Sequence, residues 1–275
     1  MNKILHCFEL PLSLLQTPGG LSESVRLVAD KIKSQGVIYA EFRFAPQLHT
    51  NKGMTQEDAI KAALEGIKRT SLKVNLILCL MRGNNNSKEN NETVELARKY
   101  LVKDGGVVAI DLAGVEGLYP TSDFEDVFAK AKEYGIPFTI HAGEAAGPES
   151  IRNAIDLGAK RIGHGISAIE SPEIVEILKQ KKIPLEMCPS SNIQTNNFNN
   201  IANYPFMDFL QKGIKVTINS DDMAILRTSI ANEFNYMEQN FNLTYDQEKI
   251  ILLNSVDAAF TTDEVKAHLR AELGF

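Results

Sequence analysis

Seven short apolar runs, rich in β-branched residues, recur along this 275-residue chain at 37–44, 74–80, 107–112, 136–140, 160–162, 183–187 and 214–218. Segments of helical periodicity alternate with them: one opens on the capping-box pattern Thr55-Gln56-Glu57-Asp58, and others cover 92–100, 124–134, 148–157 and 172–181. Near-continuous apolar runs suit strands covered on both faces, which is the situation of a parallel sheet whose crossovers are helices. The pattern therefore predicts an α/β protein of β/α repeats. The segment 4–15 reads as a helix interrupted at Pro11 rather than as a further strand. Polar residues cluster at the carboxyl ends of at least four consecutive strands, which favours a TIM-type (β/α)8 barrel over an open sheet with a single switch-point crevice. Seven strands are visible where a closed barrel has eight, so the expectation is a barrel whose first β/α unit is missing.

A hydrophobic content of 44% over this length supports one large core, hence a single domain over 1–275. The net charge of -6, from 29 basic and 35 acidic residues, leaves no basic footprint and excludes nucleic acid as a partner. Cys7, Cys79 and Cys188 form an odd set without metal spacing, which argues against a disulfide framework and for a cytoplasmic setting. The N-terminus lacks a basic start and a small-residue cleavage site, and no run approaches the roughly 18 apolar residues of a membrane span.

The chemistry gathers where strands end. His141-Ala142-Gly143-Glu144 follows the run 136–140, Gly163-His164-Gly165 follows 160–162, and Asn219-Ser220-Asp221-Asp222 follows 214–218. Taken singly, each has a bland explanation. His141 could be a structural histidine, Glu144 a helix-start acid, His164 a turn residue and Asp221-Asp222 an N-cap pair. Together, two imidazoles, an acid and paired carboxylates at strand ends are the parts of a metal-dependent hydrolase. Cys188 reads as a buried packing residue, since no basic partner adjoins it in sequence. Asp111 and Glu116 read as residues that shape a loop, and His49 and His268, in polar surroundings, as solvated.

These motifs occur in a fixed order with two more, Asp111-Leu112-Ala113-Gly114-Val115-Glu116 and Cys188-Pro189-Ser190-Ser191-Asn192. In that ordered set the chain resembles the adenosine deaminase family of zinc-dependent aminohydrolases. The resemblance implies that His141 and Asp221 are zinc ligands and that Glu144 is the general acid/base on the purine ring. It further implies that His164 orients and polarises the attacking water, that Asp222 binds the five-membered ring, and that the Gly114 N–H meets the six-membered ring. The substrate it implies is a small purine nucleoside, adenosine or 2'-deoxyadenosine, and the products are the inosine counterpart and ammonia. The Asp111 to Glu116 segment resembles the adenosine branch more closely than the adenine deaminases.

Two departures accompany the resemblance. The family's first strand carries a His-x-His pair of zinc ligands, and no such pair occurs in this sequence. His6-Cys7-Phe8 lies too close to the segment 39–46 to stand for it. Met223 follows the aspartates where the family commonly has proline. The expectations are weak zinc binding and impaired activity from an N-terminal truncation, with self-association possible through the open barrel edge. An adenine deaminase, a purine-binding pseudoenzyme and a partner-dependent subunit are the alternatives.

Overall fold

The structure, a computed structural model, describes residues 6–195 and 197–275. Among the described residues seven strands all pair in parallel and alternate with helices, as the apolar periodicity predicts. The chain gathers into two compact units.

One unit holds, of the described residues, 6–114, Asp126–Pro137 and Phe260–Phe275. After a 3-10 turn at His6–Phe8 comes helix α1 (Glu9–Leu14), then α2 (Pro18–Lys33), β1 (Tyr39–Phe44), α3 (Gln56–Lys68), β2 (Lys73–Met81), α4 (Ser87–Tyr100) and β3 (Val107–Ala113). Pro11 lies in the first turn of α1, where a missing N–H breaks no helical bond, so the expected interruption does not occur; residues 4 and 5 lie outside the described residues. The Thr17 side chain caps α2 ahead of Pro18, and Thr55 and Asp58 complete the expected capping box of α3. The sheet order is β1-β2-β3, with Phe42 beside Leu76 and Leu78 beside Ile110. Every residue of Val74–Leu80 is buried, the cost a strand pays to lie under helices on both faces. Near the C-terminus the Phe260 N–H donates to Glu41 at 2.6 Å and its carbonyl accepts from Asn75 at 3.2 Å, which pins the segment before the last helix to β1 and β2.

His49 departs from its reading as solvated. A 3-10 turn at Pro46–His49 swings it inward to 4% exposure, with Nδ1 2.7 Å from the Leu15 carbonyl and its ring edge-on to Phe44. His268 is exposed as expected.

The other unit holds Val115–Glu125 and Phe138–Ala259. Its sheet runs β4 (Thr139–Ala142), β5 (Arg161–His164), β6 (Leu185–Met187) and β7 (Val216–Ile218), in that order. Helix Pro148–Leu157 links β4 to β5, and Pro172–Lys181 links β5 to β6; each places proline in its first turn, and a left-handed residue, Gly158 or Lys182, ends it. Beneath the sheet, Arg161 and Glu186 pair at 2.6 Å, both almost fully buried, while Thr139 donates to Glu186 and Arg161 to the Ala258 carbonyl. A buried pair satisfied by further hydrogen bonds fixes the strands to each other rather than adding net stability. Helices Met223–Leu226, Ile230–Phe241 and Tyr245–Ala258 follow β7. No helix among the described residues is long and apolar enough to cross a membrane.

Candidate active site

The parallel register of β4 and β5 sets His141 opposite Gly163 and Ala142 opposite His164. The two imidazole rings consequently lie 5.1 Å apart, tilted by 50°. A Cβ on Gly163 would lie 3.1 Å from the His141 Cα and 3.3 Å from its Cγ, tighter than ordinary contact, so the glycine leaves the first ring its place. The chain then turns sharply. Gly143 has φ +71, and a Cβ there would fall 2.5 Å from Ile151 and 2.6 Å from the Ser167 Oγ, so only glycine fits.

A buried acid organises this turn. Glu116, 2% exposed, accepts the backbone N–H groups of Gly143 (2.6 Å), Glu144 (2.9 Å), Ala145 (2.8 Å) and Ala146 (3.1 Å), and the Ser150 hydroxyl at 2.5 Å. Four consecutive backbone N–H groups of the loop are thus collected by one carboxylate. The loop-shaping role read for Glu116 from sequence thus takes a definite form, and the loop it shapes is the one that carries Glu144.

The Glu144 side chain is 11% exposed. Its Oε1 accepts from Asn197 at 2.8 Å, and its Oε2 lies 3.7 Å from His164 Nε2, beyond hydrogen-bond length but facing it. Glu144 also borders a cavity of about 630 Å³ with Ser167, Glu170, Asn197 and Phe198, of a size that takes a small molecule.

His164, 2% exposed, has a left-handed backbone at φ +60. Asp221 does too, at φ +52. Such backbone in residues with a Cβ costs energy and collects at functional sites. The ligand atoms of His164, Cys188 and Asp221 lie within 4.8 Å of one another, and among the described residues this is the one group of at least three His, Cys, Asp or Glu side chains so placed. Nitrogen, sulfur and carboxylate oxygen donors are the ligand types zinc takes, and the chemistry of this set fits that metal. Cys188 is buried, as its reading as a packing residue requires, but its thiol belongs to this group. Asp222 stands at the N-cap position of Met223–Leu226, yet its side chain makes no capping bond, unlike an ordinary N-cap aspartate. Gly114 directly follows β3 in the first unit. Asp111, on β3, is fully buried and paired with Arg43 at 3.1 Å.

Three residues that sequence reasoning gave no role complete the surroundings. Asn192 Nδ2 lies 3.0 Å from His164 Nδ1, the Tyr204 hydroxyl donates to Asn192 Oδ1 at 2.8 Å, and Asn197 holds Glu144. Burial, with the nearby Cys188 and Glu233, pushes the Tyr204 phenol well above its usual range and keeps it an O–H donor. Asn192 belongs to the Cys188 to Asn192 motif, which was the available signal; Asn197 and Tyr204 lie in no motif.

The adenosine deaminase family model matches residues 1–274. The adenosine deaminase of Haemophilus ducreyi is 50% identical over 279 residues, covering 99% of this chain and 81% of that protein. That of Clostridium botulinum strain 657 is 41% identical over 275 residues, covering 98% and 82%. Among solved structures, the adenine deaminase from Arthrobacter aurescens aligns with a TM-score of 0.87 at 26% identity over 94% of this chain and 80% of that one. The N6-methyl-AMP deaminase from Arabidopsis thaliana reaches 0.89 at 27% identity over 98% and 82%. The β/α-barrel class read from the sequence is the class of these relatives.

Proposed function

The chain belongs to the adenosine deaminase family, and from that premise we propose that it is a zinc-dependent aminohydrolase converting adenosine or 2'-deoxyadenosine to inosine or 2'-deoxyinosine and ammonia. The observation that carries this reading is the convergence at two paired strand ends of the His141 and His164 rings, 5.1 Å apart, with the Glu144 carboxylate 3.7 Å from His164 Nε2. The names borne by the relatives above 40% identity support adenosine rather than adenine as substrate.

By the family resemblance His141 and Asp221 would hold zinc; the Cys188 thiol and His164 lie close to Asp221. When bound, that ion supplies the Lewis acidity that makes water nucleophilic near neutral pH. The remaining work falls to the protein. Glu144, positioned by Glu116 and Asn197, gives its proton to the ring nitrogen as the oxygen of water bonds to the adjacent carbon; of the two protons that water loses, one restores Glu144 and the other reaches the amine, the carbon–nitrogen bond breaks, and ammonia leaves. His164 donates a hydrogen bond to the attacking oxygen. Asp222 holds the five-membered ring of the purine. The unbroken family match supports one deaminase domain over 1–275, and the odd cysteine count supports a cytoplasmic setting.

The test is to incubate the zinc-supplemented chain with adenosine and with adenine at equal concentration, following purine absorbance and ammonia release. Adenosine is expected to be consumed faster, with one ammonia per inosine. Faster turnover of adenine, or of neither purine, overturns the proposal.

A further inference from the structure

His164, Asn192 and Tyr204 form a chain of three side chains that are each at most 2% exposed. The direction of every bond in it can be settled from donor and acceptor counting. Tyr204, held protonated by burial, has one proton to give, and Asn192 Oδ1 at 2.8 Å is the acceptor it reaches among the described residues. With Oδ1 committed, the amide nitrogen of Asn192 faces His164 Nδ1 at 3.0 Å. An amide NH2 only donates, so Nδ1 must present a lone pair and the imidazole proton must sit on Nε2. Nε2 is the nitrogen that looks toward Glu144.

We propose that Asn192 and Tyr204 are positioning residues that fix His164 as the Nε2–H tautomer, making it a hydrogen-bond donor in the reaction and removing it from the metal's ligand set. The placement of His164 within 4.8 Å of Cys188 and Asp221 could by itself read as a three-ligand metal site. A nitrogen that carries a proton cannot ligate, so the cluster divides into ligating groups and a donor. The role assigned to the donor rests on the deaminase reading, but the tautomer itself does not.

The experiment is nitrogen NMR on the full chain labelled with 15N-histidine, without substrate and with zinc removed by chelation, the His164 signals being identified by their loss in His164→Gln. The parent is expected to show a proton on Nε2 and none on Nδ1. In Asn192→Asp the carboxylate accepts, so a proton should appear on Nδ1; in Tyr204→Phe the amide loses its orienting donor, and both tautomers should be populated. A parent proton on Nδ1, alone or in a doubly protonated ring, overturns the proposal whether or not the variants fold. An Asn192→Asp spectrum like the parent's overturns the control by Asn192, and a Tyr204→Phe spectrum like the parent's overturns that by Tyr204. Failure of adenosine turnover with the expected tautomer present would count against the function and leave this inference standing.

Discussion

The backbone N–H of Glu144 donates to the carboxylate of Glu116 at 2.9 Å, so one acid sets the peptide that carries another. The two residues are 28 positions apart in sequence, and the bond joins the segment after β3 to the loop after β4. Because the same carboxylate also takes three neighbouring N–H groups and a serine hydroxyl, the direction in which Glu144 leaves the backbone is fixed by a group that is itself only 2% exposed.

Replacing that acid tests the arrangement. Glu116→Gln keeps the shape but turns one accepting oxygen into an NH2 that confronts backbone donors. Hydrogen bonds to a buried charged group and unsatisfied donors each carry energies of about 1–3 kcal/mol, so a loss of about 3 kcal/mol is expected. Thermal unfolding should move down by roughly 5 °C or more. Turnover should fall about 100-fold as Glu144 loses its position. An unchanged melting temperature with full turnover would show that the loop holds itself.

The roles of the acids at the site separate by metal content and rate. Glu144→Gln removes the proton relay and keeps the size, so turnover should drop by about 10² to 10⁴ with zinc content unaltered. Asp221→Ala should lose the metal. Asp222→Asn weakens a hydrogen bond to the purine, and both affinity and rate should fall with metal retained. Elemental analysis beside single-turnover kinetics distinguishes the three; loss of zinc from the Glu144 variant would contradict its assignment.

His49 gives stability a dependence on pH. Burial pushes its imidazole below the usual histidine range, against the opposing pull of the Leu15 carbonyl. The unfolded chain, with an ordinary pKa of about 6.5, therefore binds the proton more readily than the folded one. The contribution is full above that value and is lost as pH falls through it toward the depressed folded value. Denaturant unfolding of the parent and of His49→Gln between pH 8 and pH 5, a window set about the ordinary pKa, should show the parent losing stability relative to the variant on acidification. Parallel curves would mean that His49 does not titrate differently on folding.

Much of this could be read from residues in order. Helices Pro148–Leu157 and Pro172–Lys181 announce themselves with a proline in the first turn, and the strands with apolar runs. The strand starts are read early because Ile136, Pro137, Ile183 and Pro184 continue the apolar run while each proline has no N–H for the ladder; the strands themselves begin at Thr139 and Leu185. The helix Tyr245–Ala258 after β7 is not legible in the same way: its apolar residues are spread around the helix, so periodicity is weak. At the site, His141, Glu144, His164 and Asp221 stand in local motifs at strand ends. Asn192, Tyr204 and Asn197 act through bonds spanning 28, 12 and 53 residues, and no local pattern encodes which asparagine will meet which ring.

Gly163 carries no functional group, yet the distance between the two imidazoles depends on it. Across the β4 and β5 register it stands directly opposite His141, and the missing methyl is the room in which that ring rests. Grafting both histidines onto adjacent parallel strands of another scaffold would therefore copy the chemistry and miss the spacing unless the bare position were transplanted with them. In a survey of substitutions at this site, a change from glycine to alanine at 163 would look silent by every measure of charge and polarity. It would nonetheless be a change to the instrument's ruler.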